Sequence, residues 1–183
     1  MSQSDPLPHL KPLIDADLLA ERIAELAAQI EGDIQQQGLD AVLAIALKGG
    51  FLFGADLLRA LSAPLPVVFV MDRPDAQDEA DLALCNSDPD LIVGRDVILV
   101  DALLDSGGSA KRLLSGLRRY QPHSVRLAVL LHKTVDRAEP LPVSYLGFET
   151  PDLRLVGYGL DEDQRYRGLD AIHAWHCGDN TPC

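Results

Sequence analysis

No stretch of this sequence approaches the roughly 18 consecutive apolar residues that a membrane-spanning helix requires. The opening MSQSDPLPHLKP also lacks a basic segment followed by an apolar one. Both absences argue against membrane insertion and secretion, and the expected location is the cytoplasm. Cysteine is scarce: Cys85, Cys177 and Cys183 are odd in number and form no CxxC pair, which argues against a disulfide framework and a zinc knuckle. Positive charge is short as well. Sixteen Lys and Arg face 28 Asp and Glu, a formal net charge of −12, so a nucleic-acid surface, which works by neutralising phosphates, is not expected. A small anionic ligand survives this test, because backbone N–H groups and bound cations hold phosphate without net positive charge. Two nucleotide motifs are missing too, the GxxxxGK[ST] P-loop and the GxGxxG turn, which lowers the weight of a nucleoside triphosphatase and of a dinucleotide reader.

What is present suffices for one core: 183 residues, 47% of them apolar, fit a single domain. Ala16 to Gln37 carries Leu19, Ile23, Leu26 and Ile30 at helical spacing between charged positions, with Gly38 placed to end the helix. AVLAIAL (Ala41 to Leu47) reads as a strand that breaks at KGG, and FLFGADLLRAL as the following helix. PVVFVM is the next strand, and Asp72 to Asp90, acidic and proline-punctuated, a flexible excursion or hairpin. DVILV reads as a strand, SAKRLLSGLRRY as a helix beginning near Ala110, and SVRLAVLLHK as a strand. YLGFET, LRLVGYG and AIHAW are short final strands. Strands alternating with helices predict an α/β fold whose mostly parallel central sheet is flanked by helices. Ligands in such sheets bind beyond the carboxyl ends of the strands, where both KGG and DALLDSGGS fall. His173, His176 and Cys177 are a weak candidate metal cluster, since they lie on a terminal strand and tail. Asp179 to Cys183 reads as a disordered end.

The stretch VILVDALLDSGGSA concentrates the chemistry. Asp105-Ser106-Gly107-Gly108-Ser109 leads into a helix, so converging N–H groups, two hydroxyls and the helix N-terminus suit a phosphate monoester. Asp101 and Asp105 would repel that phosphate unless they serve something else. One can bind sugar hydroxyls, and the other can take a proton from a heterocyclic nitrogen.

These residues resemble the signature of the type I phosphoribosyltransferases: an apolar strand, two acidic residues, two apolar residues, then Asp-[Thr/Ser]-Gly-x-[Thr/Ser]. Three further stretches are similar to the hypoxanthine-guanine branch: ALKGGFLFGADLLRAL, LLHK, and ETPDLRLVGYGLDEDQRYRGL. The resemblance spans the first helix to Trp175 and implies the type I fold, with a small hood from the chain termini. It implies transfer of phosphoribosyl from phosphoribosyl pyrophosphate to a 6-oxopurine, hypoxanthine or guanine, with Mg²⁺, in a homodimer or homotetramer. By the same resemblance, Leu47, Lys48 and Gly49 present a first loop to pyrophosphate, with the bond before Lys48 often cis. Asp101 serves the ribose, Asp105 is the general base near purine N7, and Ser106, Gly107, Gly108 and Ser109 cradle the 5′-phosphate. Lys133 reads the purine 6-oxygen, and the backbone at Leu155 reads the other ring edge. Asp161 lies on the metal side and Arg167 contacts pyrophosphate.

The pattern breaks three times. Ala102 stands where the family has its second acidic residue, Arg154 where an aromatic stacks on the purine, and the Ser-Tyr pair of the second mobile loop is not evident in MDRPDAQDEADLALCNSD. These breaks leave an alternative open: a nucleotide-binding regulator or catalytically weakened homologue on the same fold.

Overall fold

The computed structural model describes residues 10–73, 82–85, 88–135 and 141–175. Strand β1 (Leu10–Ile14) leads to Asp15, whose carboxylate accepts from the Leu18 N–H and so caps α1 (Ala16–Gln37); Gly38, left-handed at φ 66°, ends the helix. The apolar stripe of α1 buries Leu19, Ile23, Leu26 and Ile30.

Strand β2 (Ala41–Leu47) enters the turn that starts α2 (Phe51–Ala60). Next come β3 (Val67–Asp72), a short antiparallel β4 (Leu82–Leu84), a 3-10 turn at Pro89–Leu91 and β5 (Asp96–Leu104). Helix α3 (Gly108–Arg118) and β6 (Ser124–Lys133) follow, then β7 (Tyr145–Thr150). The six strands lie in the order β4-β3-β2-β5-β6-β7, and every neighbouring pair except β3–β4 is parallel.

Alternation along β5 divides the core. Ile98, Val100 and Ala102 join the apolar layer under α1 and α2, while Val97 and Leu99 join the layer under α3 with Leu113, Leu114 and Leu117. At the free edge of β7, Arg22 of α1 donates to the carbonyls of Leu146 and Gly147 and so covers an otherwise open strand. Strands β8 (Leu155–Val156) and β9 (Ile172–Trp175) pair with β1 in the order β1-β9-β8, a small antiparallel sheet made by both ends of the chain.

Four expectations need amendment. LKPLI, which gave no strand signal, is β1. The β5 strand runs on through Asp101 to Leu104, because its parallel pairing with β6 continues past the acid as far as His132. Helix α3 begins at Gly108, two residues before the expected start, since the glycine turn itself enters the helix. LRLVGYG yields only a two-residue strand; Gly157, Tyr158 and Gly159 all take positive φ and turn the chain. The Asp72 to Asp90 excursion is a hairpin at its base, and residues 74–81 and 86–87 lie outside the described residues. His176, Cys177 and the tail from Asp179 also lie outside them.

Candidate active site

The parallel register of the sheet assembles the site. Leu104 of β5 pairs with His132 of β6, so Asp105 leaves its strand beside Lys133; Lys133 in turn pairs with Thr150 of β7, two residues before Asp152. The Lys133 ammonium lies 2.8 Å from Asp105 Oδ2 and 3.2 Å from Asp152 Oδ1. Burial opposes its charge, but hydrogen bonds to the two carboxylates outweigh burial and hold the amine above the usual lysine range. An ammonium donor and a carboxylate acceptor thus stand side by side at the strand ends.

The loop after Asp105 turns at Gly107, whose φ of 87° is left-handed, and no side chain caps the helix that follows. Ser106 Oγ lies 3.5 Å from the Gly108 N–H. The first turn of α3 holds no acid, so its N–H groups and dipole face the loop undiminished. Ser109 is exposed at the same end and hydrogen-bonds Asp72 of β3.

Asp101 is half-buried on the α3 side of the sheet. Desolvation pushes its carboxyl up to about 6; the N–H groups of Ala102 and Leu103 oppose this, and the charge of Asp72 adds to it. Ala102 points the other way and is 1% exposed. Where Gly49 would carry a Cβ, Ala102 Cβ is 4.0 Å away and Leu160 Cδ2 3.6 Å. Position 102 therefore sits beneath the first loop, against apolar neighbours.

The Leu47–Lys48 peptide is cis, as the resemblance implies. Lys48 Nζ reaches Gln164 Oε1 at 3.3 Å, and Arg167 Nη2 reaches the same oxygen at 3.1 Å. Arg167 also donates to the Gly159 carbonyl at 2.7 Å and pairs with Asp161 Oδ1 at 2.7 Å, while the Gln164 N–H donates to Asp161 Oδ2. Two cations, an amide and a carboxylate thus share one cluster, built from residues 116 positions apart.

Leu155 is buried in β8 opposite Ala174. Arg154, exposed, is forked onto Glu162, Nε to Oε2 and Nη2 to Oε1, both at 2.5 Å. The structure therefore groups Asp105 with Lys133, and Lys48 with Asp161 and Arg167, and sets Ser106 to Ser109 at the head of α3. Sequence reasoning missed Asp152, Gln164, Glu162 and Asp72. Asp152, Glu162 and Gln164 lie inside the quoted ETPDLRLVGYGLDEDQRYRGL and Asp72 inside the quoted MDRPDAQDEADLALCNSD, but their partners are set by the fold. The Ser-Tyr question of the second loop falls partly on residues outside those described.

A family model described as the phosphoribosyl transferase domain matches residues 11–163. Among similar proteins, the hypoxanthine-guanine phosphoribosyltransferase of Mycobacterium avium is 35% identical over 167 residues, covering 87% of this chain and 82% of that protein. The hypoxanthine phosphoribosyltransferase of Escherichia coli K12 is 35% identical over 154 residues, covering 82% and 86%. The crystal structure of the hypoxanthine phosphoribosyltransferase of Trypanosoma cruzi superimposes with a TM-score of 0.81 at 30% identity, covering 91% of this chain and 96% of that one. The chain belongs to the phosphoribosyltransferase family. Within it, these relatives place the chain among the hypoxanthine and hypoxanthine-guanine phosphoribosyltransferases, on the type I fold.

Proposed function

We propose that the site salvages purines, transferring phosphoribosyl from phosphoribosyl pyrophosphate to hypoxanthine or guanine and releasing the nucleoside monophosphate and pyrophosphate. The observation that carries this reading is the Asp105–Lys133 pair. A 6-oxopurine needs a donor at its oxygen and a proton acceptor near N7, and these two groups stand 2.8 Å apart. As the purine attacks the anomeric carbon, Asp105 takes its proton and Lys133 donates to the 6-oxygen. Ser106, Gly107, Gly108 and Ser109 hold the 5′-phosphate, Asp101 the ribose hydroxyls, and Lys48, Gly49 and Arg167 the departing pyrophosphate, for which the guanidinium fork is suited. Leu47 sets the turn, and Arg154 and Leu155 border the base.

Mg²⁺ fits the donors present. Among the described residues no cluster of three or more His, Cys, Asp or Glu could hold a metal, but Mg²⁺ ordinarily takes one or two carboxylates and completes its shell with phosphate and water. Asp161, partly exposed beside Arg167, is such a carboxylate. When bound, the ion would neutralise charge on the pyrophosphate leaving group.

Both substrates are polar metabolites and no helix among the described residues is long and apolar enough to cross a membrane; a cytoplasmic homodimer or homotetramer is the expected form. The test is turnover of hypoxanthine, guanine and xanthine with phosphoribosyl pyrophosphate and Mg²⁺, with Asp105→Ala as the control. Ala102 favours one second reading, a nucleotide-binding regulator, because the family's second carboxylate is replaced by a buried methyl. Tight binding of the nucleotide without turnover of any base selects that reading.

A further inference from the structure

Arg112 lies one helical turn beyond Gly108 on α3. Side chains on a helix lean toward its N-terminus, so a residue four positions on covers the turn before it. The guanidinium does so here. Its Nε and Nη2 fork onto Asp72, at 2.8 Å to Oδ1 and 2.6 Å to Oδ2. Its Nη1 lies 3.5 Å from the place where a Cβ on Gly108 would stand, and Ser106 Oγ lies 3.8 Å from that same point. The guanidinium and the Ser106 hydroxyl therefore both lie beside the glycine turn, near one point. The guanidinium thus reaches the turn at ordinary contact distance.

The charge balance points the same way. The acids near this loop are Asp72, Asp101 and Asp105, whereas the helix terminus contributes only about half an elementary charge. A guanidinium close by adds charge-assisted hydrogen bonds to the N–H groups that face the phosphate there. Asp72 would repel the phosphate if it stood alone, but the two-bond fork to Arg112 neutralises it, and the fork is only partly exposed, 30% for the Arg112 side chain and 15% for Asp72. An arginine held in this way has already lost much of the rotamer freedom that binding would otherwise cost. Asp72 also accepts from Ser109. One carboxylate on β3 thus orders two donors on the first turns of α3.

We propose that Arg112 binds the 5′-phosphate of the substrate and that Asp72 is the residue that positions it. The second loop, in which the family's pattern is not evident, begins at Met71-Asp72-Arg73, so in this chain the end of β3 serves the phosphate cradle. This rests on the reading of residues 105–109 as that cradle.

The experiment compares inosine 5′-monophosphate with inosine, which differ only in the phosphate, by titration calorimetry on the full chain, alongside KM for phosphoribosyl pyrophosphate. Arg112→Met should weaken the nucleotide about 10- to 100-fold, the range for a charged hydrogen bond, while inosine affinity moves less than about twofold and KM rises more than kcat falls. Asp72→Asn should shift the same ratio in the same direction by a smaller factor, and Arg112→Lys should recover part of it. A nucleotide-to-nucleoside ratio in Arg112→Met equal to that of the parent protein overturns the proposal, and so does an equal weakening of both ligands. If the unaltered protein prefers the nucleotide but Ser106→Ala together with Ser109→Ala leave that preference intact, the cradle reading fails, and this proposal fails with it. If those two variants lower the preference and Arg112→Met does not, the cradle stands and Arg112 is only a strap between β3 and α3.

Discussion

Asp101 carries the least comfortable charge in the site. Its carboxyl, pushed up to about 6 by burial, binds a proton in the native state at a pH where the unfolded chain has already released it. Native stability from this group is therefore fully present below the ordinary aspartate value of 3.8 and is lost as pH rises through about 6. The slope is at most about 1.4 kcal/mol per pH unit. Urea midpoints across pH 4.5 to 7.5 should fall more steeply for the unaltered protein than for Asp101→Asn, and identical slopes would refute the assignment. Because ribose hydroxyls donate to the ionised form, KM for phosphoribosyl pyrophosphate should also climb below about pH 6, and Asp101→Asn should lose that acid limb. At Asp105 the expectation is kinetic: Asp105→Ala should lower kcat by about 10²- to 10⁴-fold, read in steady-state rates with hypoxanthine. A fall of less than tenfold would remove it as the proton acceptor. Both aspartates were legible in the sequence, because an acid beside a glycine turn invites a chemical question. Gln164 was not, since its partner Lys48 is 116 residues away and no local pattern marks a contact of that span.

The first loop and the returning hood meet backbone to backbone. Gly159 sits at φ 96°, where a Cβ would come within 2.2 Å of the Gly49 carbonyl, and its own carbonyl accepts from Arg167. Gly159→Ala must therefore strain its backbone or push the pyrophosphate turn aside, at a cost of about 1 to 3 kcal/mol. The expected result is a raised KM for phosphoribosyl pyrophosphate and a raised inhibition constant for pyrophosphate, with affinity for the nucleoside little changed. Unaltered pyrophosphate inhibition would show that the two segments are not coupled. Elements with strong periodicity, such as α1 and β2, were readable to within a residue, because one face or the whole strand is buried. The strand β1 was not, since Lys11 and Pro12 interrupt its apolar pattern and only its pairing with β9 makes it a strand. Likewise LRLVGYG looks strand-like, but its glycines serve a turn that the hood imposes.

Across the whole molecule the two ends of the sheet do different work. Lys48, Gly49, Asp105 to Ser109 and Lys133 stand at or beyond the carboxyl ends of the central strands. At the opposite end Asp96, 6% exposed, accepts from the Asp40 N–H at 3.1 Å and from Ser124 Oγ at 2.5 Å, with Arg126 Nη1 3.8 Å away. Arg126 continues to Ser124 Oγ and to Gln37 at the end of α1. This network ties the starts of β5 and β6 to α1 where a buried carboxylate would otherwise be costly. Asp96→Ala leaves the Ser124 hydroxyl and the Asp40 N–H without this acceptor and removes the carboxylate beside Arg126, which keeps Ser124 Oγ and Gln37. Leaving buried donors unsatisfied in this way costs about 1 to 3 kcal/mol, a sizeable share of the roughly 5 to 15 kcal/mol that holds a typical domain folded. The variant should therefore unfold at a markedly lower urea midpoint while KM for the base and for phosphoribosyl pyrophosphate stay close to those of the parent at low temperature. A variant with normal stability but altered KM would contradict the separation of the two ends, since the Asp96 network would then reach the site through β5 itself.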